Sequence, residues 1–205
     1  KDIEDITKEV MPVNTVIEKW FMDGKYTPYD TNILEEVIRY ALLHCPRFIR
    51  ISRVFRDIPI DNIIGGADIP HMRQKIEKKM AARGEFCQCI RSREIRNREV
   101  DISLVDINVQ SYEAQGGIEY FISADYYDDN EEKDFLVGFC RLRINKNNNG
   151  LHYLPHLKNA GIVRELHVYG KMVPSYFSKI IKSNTQHKGI GSRLMRKAEE
   201  IAIKY

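Results

Sequence analysis

The segment QHKGIG, residues 186–191, constrains most strongly how this chain folds. It places Gly189 and Gly191 directly before SRLMRKAEEIA, in which apolar residues recur at helical spacing. Glycine lets the backbone approach a ligand closely, and the N–H groups at the start of a helix converge on anions. Lys188 and Arg193 add positive charge nearby. The pattern predicts a loop that enters an amphipathic helix and binds a pyrophosphate. The apolar face of this helix comprises Leu194, Met195, Ala198 and Ile201.

The region before this loop is predicted to be rich in β-strands. Three segments contain many Val, Ile, Phe and Tyr residues and alternate with polar turn-like stretches: 101–112, 117–127 and 134–144. Residues 128–134 predict a hairpin connection and 144–150 a loop, while 162–169 predict a fourth strand. Strands joined in this way favour a mostly antiparallel sheet.

The first half of the chain predicts a helix followed by a strand. Asn32 and Glu35 resemble a capping pair, and apolar residues at helical spacing then predict a helix over 32–44 that Pro46 ends. Residues 48–55, FIRISRVF, alternate apolar and basic side chains, as a half-buried strand does. This order of elements is typical of an α/β domain.

A second helix is predicted after a loop that contains Gly65, Gly66 and Pro70. It spans residues 71–83, and lysines and arginines cover much of its surface. A basic helix face is either solvated or a contact surface for phosphates. The composition changes near residues 85–100, which we interpret as a domain boundary.

Composition excludes several classes of protein. The net charge of +3 is too small to indicate a nucleic-acid partner by itself, and no apolar run is long enough to span a membrane. The first ten residues lack the apolar core of a signal peptide. Four cysteines are too few for the disulfide framework of a secreted protein. These features favour a reducing, cytoplasmic setting without a membrane partner.

The strand predicted over 162–169 and the glycine loop together are typical of enzymes that bind acyl-CoA. In such enzymes the strand offers backbone N–H groups to the thioester carbonyl. The alternative is a plain loop-to-helix entry in an α/β core. The residues predicted to bind acetyl-CoA are Glu165, Leu166, His167, Val168, Gln186, Lys188, Gly189, Ile190, Gly191 and Ser192.

Two side chains of the predicted strand are candidates for chemistry. Glu165 either acts as, or orients, a general base, or is a strand carboxylate paired with a nearby arginine such as Arg164. His167 alternates with Leu166 and Val168, and we favour a structural role for its side chain.

Longer segments resemble the family of catalytic subunits of the Elongator complex. The resemblance covers almost the whole chain. The segments that carry it are TVIEKWFMDGKYTPYD, RISRVFRDIPIDNI, CQCIRSREI, YEAQGGIEYFIS, DFLVGFCRLR, GIVRELHVYGKMVP and QHKGIGSRLMRKAEEIA. The family joins a radical-SAM domain to an acetyltransferase domain of the GNAT type. The resemblance therefore implies a mixed α/β chain: residues 1–69 end a radical-SAM partial barrel, 70–100 form a linker, and 101–205 form an incomplete GNAT-type domain.

The resemblance implies tRNA modification. Acetyl-CoA would supply a carbon unit to C5 of the wobble uridine, giving 5-carboxymethyluridine, with S-adenosylmethionine and a 4Fe-4S cluster as further cofactors. The cluster motif of the family, CxxxCxxC, is missing from this sequence, so we expect the cluster to lie before Lys1 and these residues alone to be inactive. Implied partners are the tRNA anticodon stem-loop, other Elongator subunits or a second copy of the chain. A lysine acetyltransferase of histones or other proteins and a non-catalytic RNA-binding scaffold are the alternatives.

The pair Cys87 and Cys89 lies in a segment that the family associates with zinc. His71 is a candidate third ligand, and no fourth ligand is identifiable, although structural zinc prefers four. The alternative is a pair of reduced thiols in a packed linker.

Basic residues around the cysteine pair are candidate contacts for tRNA. We predict that Lys78, Arg91 and Arg93 bind phosphates, since lysine and arginine contacts to the backbone dominate the affinity for nucleic acids. By spacing alone, solvated or ion-paired side chains are the commoner explanation.

Overall fold

The computed structural model describes residues 10–12, 15–52, 54, 63–66, 71–96, 98–145, 160–170 and 189–205. The chain divides into two compact units, Lys1–Ser92 (unit 1) and Arg93–Tyr205 (unit 2). Helices combine with a four-stranded antiparallel sheet, which agrees with the predicted mixed α/β class. None of the helices in these ranges is both long and apolar enough to cross a membrane.

Unit 1 is built around two packed helices. Its elements are β1 (Val10–Pro12), α1 (Val16–Met22), α2 (Thr31–Leu43), β2 (Ile63–Gly66), α3 (Met72–Ala81) and the start of α4 (Ile90–Arg93). Every fourth residue of α2 and of α3 points into one core, as the helical period requires. These core residues are Leu34, Ile38, Leu42, Met72, Ile76 and Met80. The two helices predicted in this half of the chain are therefore confirmed.

The cap of α2 differs from the predicted one. The carboxylate of Asp30 accepts a hydrogen bond from the Asn32 N–H at 2.8 Å, so Asp30 is the N-cap and Asn32 lies inside the helix. An acidic side chain at the N-cap satisfies one of the free N–H groups of the first turn. The helix ends at Leu43, ahead of Pro46 as expected.

The strand predicted over 48–55 is wrong in the part that the structure describes. Residues 49–52 have no regular secondary structure, although Ile51 and Val54 are buried in the core of unit 1. The Ile49 carbonyl accepts a hydrogen bond from the Ile90 N–H at 2.9 Å, so the segment is held by α4 rather than by a strand. The alternating apolar residues correctly predicted burial. A strand also needs a neighbouring strand to pair with, and the alternation carries no information about that. Conversely, Gly65 and Gly66 lie in β2, which pairs with β1, instead of in a loop.

Unit 2 contains one antiparallel sheet in the order β3-β4-β5-β6. The strands are β3 (Val105–Ala114), β4 (Gly117–Asp128), β5 (Lys133–Asn145) and β6 (Gly161–Val168). All four were predicted, and the connection of β4 to β5 coincides with the predicted hairpin. A short 3-10 turn, Ile102–Leu104, precedes β3.

The two faces of this sheet differ in chemistry. Helix α5 (Ile190–Ala202) packs on one face, which we call the helix face and which carries Ile122, Cys140 and Leu142. Residues that pair across strands share a face, and alternate residues along a strand point the same way. The opposite face, here called the polar face, therefore carries Glu119, Phe121, Ser123, Asp125, Phe139, Arg141, Arg143, Glu165 and His167.

The segment expected to be a linker, 70–100, contributes to both units. Met72, Ile76 and Met80 belong to the core of unit 1, whereas Ile95 and Val100 belong to the core of unit 2.

Candidate functional site

The start of α5 has the geometry of an anion site. Gly189 is the N-cap with φ +82°, a conformation that other residues rarely adopt, and no side chain caps the helix in the part of the chain that is described. A Cβ at Gly189 would meet no atom of the described residues within 4 Å, so the backbone conformation rather than crowding favours glycine here. The first N–H groups of a helix lack intrahelical partners. Gln186 and Lys188 lie outside the described residues.

Strand β6 and helix α5 run side by side in opposite directions. A Cβ on Gly191 would lie 3.8 Å from Val168 Cγ2, and a Cβ on Gly161 would lie 3.1 Å from the Cβ of Ala202. The first turn of α5 is therefore next to the end of β6, the juxtaposition that a strand-and-helix cofactor site needs. Leu166 and Val168 point to the helix face because they pair with Cys140 and Gly138.

Glu165 lies on the polar face with its carboxylate half in solvent. Its Oε2 accepts a hydrogen bond from Arg141 Nε at 3.1 Å, and the side chain is 48% exposed. The partner is thus an arginine of the neighbouring strand rather than Arg164. The role of Glu165 as a general base stays a prediction.

His167 belongs to an aromatic cluster on the same face. Its ring stacks on Phe139, with centroids 6.0 Å apart, and meets the edge of Tyr169 at 4.4 Å. The ring of Phe139 is buried, whereas His167 is exposed. Packing against the cluster orients the imidazole, which agrees with a structural role without testing it.

Arg193 does not add charge to the anion site. Its Nη2 donates to the Val105 carbonyl at 2.6 Å and its Nη1 to the Ile102 carbonyl at 3.3 Å. The guanidinium therefore ties α5 to the 3-10 turn before β3.

A charged cluster on the polar face was not predicted from the sequence. Glu119 is 1% exposed, and its Oε1 accepts hydrogen bonds from Arg143 at 3.1 Å and from Arg164 at 2.7 Å. Its Oε2 is buried and has no hydrogen-bond partner among the described residues. In the sequence, the one signal is that Glu119 and Phe121 are two residues apart in a predicted strand, so they share a face. Nothing in the neighbouring sequence indicates which arginines pair with Glu119.

The cysteine pair is held by hydrogen bonds within unit 1. Arg73 Nη2 donates to Cys89 Sγ at 3.5 Å and to Ser92 Oγ at 3.1 Å, and Cys89 Sγ lies 3.4 Å from Ser92 Oγ. The hydrogen bond with Cys87 lowers the pKa of Cys89 to about 4, and Ser92 and Arg73 add to this effect against desolvation. Hydrogen bonding to Cys89 and burial raise the pKa of Cys87. The surroundings therefore favour deprotonation of Cys89 over deprotonation of Cys87.

This arrangement does not fit the predicted zinc site. A structural zinc site takes four ligands, with its cysteines as thiolates. Within the described ranges, no group of three or more His, Cys, Asp or Glu residues is placed to hold a metal ion. His71 is exposed at the N-cap of α3, and Arg73 already provides a cation for Cys89. The residues favour the alternative of two reduced, buried thiols.

The three predicted contacts for tRNA have different surroundings. Arg93 is 0% exposed, and its Nη1 lies 2.7 Å from Asp125 Oδ1, surroundings that do not favour the predicted contact with phosphate. Lys78 is exposed on α3. Arg91 is exposed too, and its guanidinium donates to the Ser52 carbonyl. Lys78 and Arg91 remain candidates.

Comparison with known proteins finds relatives that match most of the chain. Residues 10–82 match the model of the Radical_SAM C-terminal domain. The chain is 35% identical, over 92% of its length, to a tRNA uridine(34) acetyltransferase of Methanocaldococcus jannaschii. It is 36% identical, over 87% of its length, to Elongator complex protein 3 of Saccharomyces cerevisiae. These matches cover 34% and 32% of the two relatives, so the chain spans about a third of their length.

A solved structure supports the same relationship. The archaeal Methanocaldococcus infernus Elp3 with an N-terminal deletion superimposes with a TM-score of 0.74 at 30% identity, covering 95% of this chain and 45% of that one. Over nearly its whole length, this chain is therefore a homologue of the Elongator complex protein 3 and tRNA uridine(34) acetyltransferase proteins.

Proposed function

We propose that this chain takes part in modifying the wobble uridine of tRNA and that unit 2 binds the acetyl-CoA for this reaction. The observation that carries the proposal is the first turn of α5, which begins at Gly189 next to the end of β6, on a chain whose relatives include a tRNA uridine(34) acetyltransferase. Because the fold class and the juxtaposition agree, we assign unit 2 to a GNAT-type domain and residues 1–69 to the end of a radical-SAM partial barrel.

The residues of unit 2 fit acetyl-CoA at two places. The N–H groups of Ile190, Gly191 and Ser192 would hold the pyrophosphate, because they lie in the first turn of a helix that no described side chain caps. The backbone of β6 at Leu166–Val168 would hold the thioester end. Acetyl-CoA, when bound, supplies the carbon unit that is transferred.

Glu165 is the proposed proton acceptor of this site. It is exposed, it lies on the strand that leads to the anion site, and Arg141 fixes the direction of its carboxylate. A carboxylate in this position removes a proton from water or from the acetyl group. His167, held against Phe139 and Tyr169, shapes the wall beside it.

The radical part of the proposed reaction needs groups that these residues do not provide. The sequence contains no CxxxCxxC triplet, so its cysteines do not fit a 4Fe-4S cluster of the radical-SAM type. We therefore expect the 205 residues alone to be unable to form 5-carboxymethyluridine. The proposal also includes S-adenosylmethionine as a cofactor and a cytoplasmic location. Its partners are the tRNA anticodon stem-loop and either other Elongator subunits or a second copy of the chain. Acetylation of protein lysines is not favoured by the names of the relatives.

The function is tested by acetyl-CoA turnover in the natural protein that contains these residues. We expect CoA release to rise on addition of tRNA that carries a wobble uridine, and not on addition of tRNA with cytidine at that position. Acetylation of a histone peptide without stimulation by tRNA would instead support a protein acetyltransferase. Absence of turnover with either substrate would support a non-catalytic scaffold.

The tRNA contacts are tested separately. We expect the double variant Lys78→Gln/Arg91→Gln to weaken tRNA binding and to reduce the slope of log affinity against log salt by about 2, since each lost phosphate contact removes about one unit. Filter binding over a series of salt concentrations measures both quantities.

The control is Lys19→Gln/Arg196→Gln, which removes the same charge from two exposed positions elsewhere. An equal loss of affinity in both double variants would mean that the effect is one of net charge and that Lys78 and Arg91 are not specific contacts.

A further inference from the structure

On the polar face of unit 2, two glutamates and three arginines form two separate ion-paired groups. Glu119 binds Arg143 and Arg164, whereas Glu165 binds Arg141. Arg164 and Glu165 are neighbours in the sequence, yet they belong to different ion pairs. Arg164 therefore pairs with the distant Glu119 and not with the adjacent Glu165.

A β-bulge brings Arg164 and Glu165 to the same face. In the pairing of β5 with β6, Arg141 lies opposite Glu165 and the next residue, Leu142, lies opposite Val163, so Arg164 has no opposing residue. In a regular strand, neighbouring side chains point to opposite faces, and a bulge breaks this alternation. Arg164 therefore reaches Glu119 on the polar face, where Glu165 also lies.

Glu119 is the fixed member of the cluster. It is buried, and its partner Arg143 is anchored by further hydrogen bonds to Asn145 Oδ1 at 2.8 Å and to the Gln115 carbonyl at 2.6 Å. Arg164 is the loose member, since 54% of its side chain is exposed and, among the residues that the structure describes, its ion-pair partner is Glu119 alone. Removing the charge of Glu119 would thus release Arg164 far more readily than Arg143.

The surroundings of Glu119 Oε2 indicate that this residue does not serve stability alone. Oε2 is buried and accepts no hydrogen bond from the part of the chain that the structure describes, a condition that costs stability. Both arginines bind Oε1 instead, so the carboxylate is turned towards them.

We propose that Glu119 is a positioning residue for Glu165: by binding Arg164, it prevents this arginine from pairing with Glu165. The inference rests on the proposed role of Glu165 as proton acceptor. A carboxylate bound by two guanidinium groups is a weaker base than one bound by a single group. Glu119 therefore preserves the reactivity of Glu165 without contact with the substrate.

A cycle of variants in the natural full-length protein tests the proposal. We expect Glu119→Gln to lower kcat for tRNA-stimulated acetyl-CoA turnover about tenfold and to change KM for acetyl-CoA less than about twofold, because the base is weakened while the cofactor site is intact. Arg164→Gln alone should stay near the wild-type rate. The double variant Glu119→Gln/Arg164→Gln should recover that rate, because the competing arginine is gone.

A purely structural role gives a different pattern. If Glu119 only stabilises the sheet, the double variant loses two partners of the cluster and should be as slow as Glu119→Gln or slower, which would overturn the proposal. Circular dichroism and thermal unfolding check that each variant is folded. If Glu119→Gln does not fold, Glu119→Asp takes its place, since it keeps the charge but withdraws the carboxylate from Arg164.

A crystal structure of Glu119→Gln separates this proposal from the proposed function. We expect Arg164 to donate a hydrogen bond to the Glu165 carboxylate in that structure; Arg164 still directed at residue 119 would overturn the proposal. If the wild-type protein shows no acetyl-CoA turnover at all, the proposed function fails, and the position of Arg164 still decides whether Glu119 controls the pairing.

Discussion

Replacing Asp125 with alanine is expected to lower the free energy of unfolding of unit 2 by about 3–5 kcal/mol, the usual cost of removing one partner of a buried ion pair. Arg93 is completely buried, and its Nη1 lies 2.7 Å from Asp125 Oδ1. Ser123 Oγ and Asn108 Nδ2 also donate to Asp125 Oδ2, at 2.6 and 3.1 Å. The variant removes the carboxylate to which this buried cation and these two donors bind. Urea-induced unfolding followed by circular dichroism measures the loss.

The matched control is an ion pair of the same unit in solvent. Arg98 and Glu131 are joined at 2.6 Å, and both side chains are 43% exposed. Glu131→Ala should cost less than about 1 kcal/mol, because water screens the attraction and solvates the arginine left behind. Equal losses in Asp125→Ala and Glu131→Ala would contradict the conclusion that burial makes the Arg93–Asp125 pair important.

The variant Gly191→Asp is expected to weaken acetyl-CoA binding by about tenfold or more, equivalent to about 1.4 kcal/mol or above. The substitution places a carboxylate in the first turn of α5, where the proposed pyrophosphate would bind. Two anions repel each other there, although either alone is favoured by the helix dipole. Isothermal titration calorimetry with acetyl-CoA at fixed ionic strength measures the change.

Two controls isolate the charge in this experiment. Gly191→Ala adds only a methyl group, which would lie 3.8 Å from Val168 Cγ2 and therefore fits without a clash. Arg196→Gln makes the same change in net charge at an exposed position farther along α5. We expect both to bind acetyl-CoA more tightly than Gly191→Asp; if Arg196→Gln loses as much affinity, the phosphate cradle at Gly191 is the wrong location.

The sheet and α5 could be predicted because their signals are local. Alternating residues in β4 and β5 and the helical spacing from Leu194 to Ile201 each report one buried face. The segment 48–55 shows the limit of this reasoning. Its alternation is the same as that of a strand, but hydrogen bonding depends on what lies beside the backbone, and Ile49 meets the N–H of Ile90.

For the candidate site too, the backbone elements could be predicted from the sequence, but the partners of the charged side chains could not. The order of strand, loop and glycine-led helix indicated that β6 and α5 are neighbours, and the distance from Gly191 to Val168 agrees. The fate of individual charges was not predictable. Arg93 and Arg91 look alike in the sequence, but only Arg93 meets a buried carboxylate, supplied from 32 residues away. Glu119 was overlooked for the same reason, since Arg164 is 45 residues away.

The bulge in β6 has a consequence for the evolution of this strand. If residue 164 were deleted, Val163 and Glu165 would become consecutive and would face Leu142 and Arg141, which are consecutive already. The shortened strand would pair as a regular ladder, and all the remaining side chains of β6 would stay on their present faces of the sheet. The sheet thus tolerates the loss of this one position, so the hydrogen-bonding register does not require Arg164. Relatives that lack an acidic residue at position 119 are then free to lose it.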